Sequence, residues 1–119
     1  MVQMSDTDIT LIIDKHDTFI SVLISILKEH QYLSIISVPE LSHATEIVTR
    51  QPISRVYLTI DSSSDQNDIR NFCFLCLRYG VPVCLVLNRT EDFFQNDLPI
   101  EQVVLKTNQL EFDLFPITT

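Results

Sequence analysis

The chain has 119 residues, yet only one of them is glycine and none is tryptophan. Phosphate-cradling loops and nucleophile elbows need glycine wherever the backbone turns sharply or lies against a ligand. With Gly80 alone, no G-x-x-x-x-G-K-[ST], G-x-G-x-x-G or G-x-S-x-G exists, and enzymes built on those turns are excluded. Positive charge is also scarce: eight Lys and Arg stand against sixteen Asp and Glu, a net charge of −8. Binding a phosphate backbone requires clustered cations. Here they are scattered, so this chain is not expected to bind nucleic acid directly. No apolar run is long enough to span a bilayer. The polar start Met1-Val2-Gln3-Met4-Ser5-Asp6 lacks the basic region of a signal peptide. The expectation is a cytoplasmic protein without membrane contact.

Cysteine is sparse too. Cys73 and Cys76 form a C-x-x-C, which in other settings is a redox pair or half a zinc site. There is no second ligand pair, and no Gly or Pro turn separates the two. Phe72-Cys73-Phe74-Leu75-Cys76-Leu77 reads instead as a helix segment with two buried thiols one turn apart, because free Cys behaves as a small core hydrophobe. No metal site is expected.

What is present is an ordinary globular composition, 45% hydrophobic and 20% charged, enough for one domain over 1–119 with one core. Strands and helices alternate. Ile9-Thr10-Leu11-Ile12-Ile13 is an apolar run that stops at Asp14, as a parallel strand buried on both faces does. Asp17 then suits the cap of a helix from Thr18 to about His30. Tyr32 to Val38 is β-rich. Pro39 suits the first turn of a helix reaching Arg50, and Pro52 ends that segment.

Arg55-Val56-Tyr57-Leu58-Thr59-Ile60 repeats the first pattern and stops at Asp61. Asp68 can cap a third helix over Ile69 to Tyr79, closed by Gly80. Val81 to Leu87 is the fourth strand, Thr90 starts a short fourth helix, and Gln102 to Lys106 is the fifth strand. The segment 108–119 is weakly helical, an eroded fifth helix or the start of a linker. This order predicts an α/β fold: a doubly wound, five-stranded parallel sheet of flavodoxin-like (CheY-like) order 2-1-3-4-5, with its last helix short or missing.

Two acids and a lysine at three strand ends, with the Val81-Pro82-Val83 start of the fourth strand, resemble the receiver domain of two-component response regulators over residues 8–107. The resemblance implies that Asp61 is the phosphoacceptor candidate, that Asp14 is one of two metal-holding acids, and that Lys106 is the pocket lysine. Several positions depart from the pattern. Lys15 replaces the second acid. Leu87 or Asn88 stands at the switch hydroxyl, with Thr90 nearby. Ser62-Ser63-Ser64-Asp65 replaces the usual turn after the phosphoacceptor, and Thr107 replaces the proline after the lysine.

Magnesium wants hard oxygen ligands in octahedral geometry. An ammonium in place of a carboxylate removes a ligand and adds repulsion, and one charge–charge contact at ~4 Å is worth about 4 kcal/mol at an effective dielectric near 20. Phosphoryl transfer rests on such charge neutralisation. The pocket of Asp14, Lys15, Asn88 and Lys106 is therefore read as degenerate, with no cofactor, and magnesium only if the pocket still works. Lys106 is expected to pair with Asp61, and Lys15 with Asp14 or Asp61. His16, His30 and His43 are read as bystanders.

The function expected from the resemblance is a pseudo-receiver signalling domain of a bacterial regulator, not an enzyme. It would act by protein contact or homodimerisation without obligatory phosphorylation. LuxR-type transcription regulators with atypical receivers look similar, which implies a DNA-binding domain after the receiver. A phospho-accepting receiver modified at Asp61 and a stand-alone adaptor or inhibitor are the alternatives. The family's partner face maps to Phe93, Phe94, Val103 and Phe112, with Phe115 beside them.

Overall fold

The computed structural model describes residues 8–61, 63–92, 98–107 and 109–115. Five strands, β1 (Ile9–Ile13), β2 (Ile35–Val38), β3 (Ile53–Ile60), β4 (Val83–Leu87) and β5 (Gln102–Leu105), form one sheet in the order β2-β1-β3-β4-β5. Every pairing is parallel. The connecting helices are α1 (Asp17–Glu29), α2 (Leu41–Arg50) and α3 (Gln66–Arg78), and a five-residue α4 (Leu110–Leu114) closes the described chain. The expected α/β class, strand order and short last helix are all present.

Strand alternation sorts the apolar residues into two layers. Leu11, Ile13, Val56, Leu58, Ile60, Val83, Leu85 and Leu87 pack against Ala44 and Val48 of α2 and against Ile69, Phe72, Cys73 and Cys76 of α3. Ile12, Tyr57, Cys84, Val86 and Val104 pack against Leu23 and Leu27 of α1 and Leu110 of α4. Burial pushes the Cys73 thiol up to about 11, and those of Cys76 and Cys84 up to about 12. The C-x-x-C is core packing in α3.

Several boundaries move, each for a local reason. α1 starts at Asp17 with His16 at the cap position, one residue earlier than the sequence suggests. α3 starts at Gln66, because Asp65 takes the cap and its carboxylate accepts from the Asp68 amide at 3.0 Å. Asp68 is left in the first turn, where a negative charge suits the helix dipole. β2 loses Tyr32 to Ser34. The Tyr32 amide instead donates to Leu27 O at 2.9 Å, and Gln31, at φ +73°, donates to Lys28 O. This is a Schellman closure of α1. Gly80 closes α3 in the same way, at φ +70°. After β4 the described chain makes one 3₁₀ turn, Thr90–Asp92, in place of the start of a helix.

The register sets the site. Ile13 pairs with Leu58, Ile60 with Leu87, and Leu87 with Leu105. The residues that follow these strand ends, Asp14, Asp61, Asn88 and Lys106, therefore emerge on one edge of the sheet. This is the carboxyl edge, where open α/β sheets bind ligands.

Candidate functional site

Asp14 is the buried centre of this edge. Its side chain is 1% exposed, and the Lys106 ammonium lies 3.0 Å from its Oδ2. The same ammonium sits 4.3 Å from the ring centroid of Phe19, on the first turn of α1. Oδ1 accepts from the His16 backbone amide at 2.6 Å and faces His16 Nδ1 at 3.2 Å. Oδ2 has no hydrogen bond of good angle, so the ion pair with Lys106 is its main compensation. Burial raises the carboxyl pKa. The His16 amide, Lys106 and Thr59 together outweigh that and hold it below the ordinary carboxylate value.

Asp61 is half-buried at the mouth of the edge. Its Oδ1 accepts from the Ser63 hydroxyl at 2.6 Å and the Ser63 amide at 2.8 Å, while its own amide donates to Ser64 Oγ at 3.0 Å. The Ser63 bonds are the main reason that its carboxyl is held below the ordinary value, and Lys15 contributes least.

The expected pairing of Lys106 with Asp61 is thus corrected. Lys106 goes to Asp14, the deeper carboxylate, which has lost more water and has fewer donors to replace it. Asp61 is already satisfied by its own serine loop. Lys15 is exposed and makes no close ion pair with either acid. Asn88 is fixed through its backbone, which donates to Ile60 O at 3.1 Å. It lines a hollow shared with His16, Asp61, Ser63 and Lys106.

The larger cleft beside it has a volume of about 360 Å³ and runs from Asp14 past Asp61 to Glu40, Asp65 and Asp68. For a magnesium ion the buried carboxylate of this edge is already taken. Asp14 is committed to His16 and Lys106, and Lys15 adds repulsion where a ligand would stand.

Sequence reasoning missed the roles of His16, Phe19, Ser63 and Ser64. One signal was available for two of them: an aspartate at a strand end readily accepts from the amide two residues on. Asp14–His16 and Asp61–Ser63 both have that spacing. Of the partner-face residues, Val103 and Phe112 are exposed at 40% and 56%. Phe93 and Phe94 lie outside the described residues. Phe115 makes a contact within the chain. It is half-buried and stacks on His30.

No family model matches the chain, and no curated protein sequence is similar to it. Solved structures are similar. The N-terminal domain of a response regulator/sensory box/GGDEF protein from Carboxydothermus hydrogenoformans has a TM-score of 0.70 at 14% identity, over 84% of this chain and 82% of that one. A response regulator receiver protein from Pseudomonas putida has a TM-score of 0.63 at 14% identity, over 87% and 88%. The fold is that of a receiver domain. RcsB from Salmonella enterica, bound to a promoter with the phosphomimetic BeF3−, has a TM-score of 0.66 at 16% identity. That match covers 89% of this chain but only 63% of the Salmonella protein. No described helix is long and apolar enough to cross a membrane.

Proposed function

We propose that this chain is a degenerate receiver, a cytoplasmic signalling domain of a bacterial regulator. It works through contact with a partner protein or a second copy, without an obligatory phosphorylation cycle and without catalysing a reaction of its own. The observation that carries this reading is the Lys106–Asp14 ion pair at 3.0 Å, with Lys15 at the position after Asp14. The charge that a bound metal would bring to the pocket is supplied from within the chain. Val103 and Phe112 offer apolar surface for the contact. The likeness to a promoter-bound regulator supports a place in a transcription regulator, with DNA binding supplied by a separate domain.

One observation favours the phosphoacceptor reading instead: Asp61 keeps a strand-end position and is only half-buried. Incubating the chain with acetyl phosphate and magnesium, then measuring mass and oligomeric state, separates the two. The expected result is no added phosphate and the same oligomeric state for wild type and Asp61→Ala. A phosphorylated wild type whose assembly changes, with an inert Asp61→Ala, would replace this reading with the phosphoacceptor one.

A further inference from the structure

We propose that the outer face of α3, with the groove between α3 and α2, docks an acidic amphipathic helix of a partner protein. The proposal rests on the reading of the chain as a contact domain, and it adds a face on a different element from Val103 and Phe112. Phe74, Leu77 and Tyr79 are all exposed, on α3 or its cap residue. Single exposed apolar side chains are ordinary, but three on the last two turns of one helix make a patch. Arg70, Phe74 and Arg78 follow one another at four-residue steps, and Leu77 lies three residues from Phe74, so the four share one stripe. The Arg70 guanidinium lies over the Phe74 ring, 5.1 Å from its centroid, which orders both side chains. Beside this stripe runs a groove of about 350 Å³, lined by Leu41 and Thr45 of α2 and by Asn71, Phe72 and Leu75 of α3. From Asp68 to Arg78 the helix rises about 15 Å, nearly three turns of a docked helix.

Charge selects the occupant. Between Asp68 and Glu91 the chain carries Arg70, Arg78 and Arg89 and no acid, although its net charge is −8. The α2 side of the groove adds no net charge. Its lining residues Leu41, Ser42 and Thr45 are neutral, and Glu46 of that helix pairs with Arg50 at 3.0 Å. Among the described residues lining the groove, Asp68 is the only acid, and it stands toward the N-terminal end of α3. The complementary surface is therefore apolar along the groove and acidic toward Arg78. An apolar side chain enters beside Phe72, others cover Phe74 and Leu77, and carboxylates meet Arg70 and Arg78. An amphipathic helix laid in a groove presents its side chains in this way, and aromatic and arginine side chains are the usual anchors of such contacts. A second copy suits this face poorly. A two-fold contact through it would bring Arg78 toward Arg78, between chains of like net charge.

The test is an amide NMR titration of the full chain with three synthetic peptides of equal length. The first is an amphipathic helix with leucines on one face and glutamates on the other. The second has lysine in place of glutamate, and the third has serine in place of leucine. The first should give saturable shifts at Thr45, Phe74, Leu75, Leu77 and Arg78, and the other two should not. Leu77→Gln and Arg78→Glu should each weaken its binding about tenfold, because each removes one anchor. Val22→Gln, at an exposed position of α1 in the opposite layer, should bind as the wild type does. Unshifted α3 amides with the glutamate peptide would overturn the proposal. So would equal shifts with the lysine peptide, or shifts confined to Val103 and Phe112. Concentration-dependent shifts of the α3 amides in the chain alone would overturn it too, by assigning the face to a second copy. All variants need the wild-type pattern of β-sheet amides, so that a folding defect is not read as lost binding. Phosphate transfer to Asp61 is read by the separate acetyl phosphate experiment, so the docking face and the phosphorylation-independent reading can fail separately.

Discussion

Asp14 decides what this pocket can do. A carboxylate this deeply buried needs compensation, and Lys106 and the His16 amide provide it. Lys106→Met would leave Asp14 without its counter-charge. Stripping one partner from a fully buried pair costs about 3–5 kcal/mol. Because Lys106 is 17% exposed, a loss of about 2 kcal/mol is expected in urea unfolding. Asp61→Ala should cost less than about 1 kcal/mol, since its bonds are local and lie near solvent. Equal losses in the two variants would contradict the assignment of Lys106 to Asp14.

The same two carboxylates set the acid limit of the fold. Both are held below the ordinary value in the folded chain, so on acidification the unfolded chain takes up protons first. Their contribution is complete above the unfolded values and is lost as pH falls through the folded ones. Unfolding free energy should therefore decline below about pH 4. In Lys106→Met the decline should be shallower, because the pair that depresses Asp14 is gone. Urea titrations at stepped pH would show this.

At the scale of elements, the two helix closures make a natural comparison. α1 and α3 end in the same Schellman pattern, one with Gln31 in the left-handed region and the other with Gly80. A side chain is strained there and glycine is not. Gln31→Gly should raise stability by about 0.5–1 kcal/mol, although it removes side-chain atoms. Gly80→Ala should lower it by about 1 kcal/mol through backbone strain alone, because an added Cβ would meet nothing within 4 Å. Thermal or urea unfolding of both variants checks this pair of opposite signs.

These closures also explain what could be read from residue order. Buried strands ending at Asp14, Asp61 and Lys106 were legible, because apolar runs stopped by a charge depend only on local pattern. The closing turn of α1 was not, because a glutamine at a left-handed position carries no signal, and Tyr32 to Ser34 was taken into β2. The start of α3 is misplaced by the sequence reading, which puts the cap at Asp68. Asp65 takes it instead, and the two aspartates carry the same local signal. In the pocket, the four strand-end residues were legible as a group. The choice of Lys106 between two acids depends on relative burial, which no spacing reveals. Phe115 packs on His30 within the chain, a contact the sequence does not reveal, since a late Phe reads the same whether it faces a partner or a histidine of its own chain.

On the scale of the whole molecule, a parallel sheet brings four strand ends to one edge, and the chain fills that edge with its own charges. The cleft is lined by Asp14, Glu40, Asp61, Asp65 and Asp68, and among the described residues Lys106 and His16 close on one of these acids, Asp14. Asp14 is thus paired from within the chain, and the proposed contact-based function rests on that pairing. Receiver-like structures at 14–16% identity share this sheet. The decisive measurement is the amide NMR spectrum of the chain in millimolar magnesium, with and without beryllofluoride, alongside Asp61→Ala. The account predicts that the resonances of Asp14, Asp61, Asn88 and Lys106 stay in place in both proteins. Saturable shifts at those residues in the wild type, absent from Asp61→Ala, would show that the pocket still takes metal and phosphate, and would contradict it.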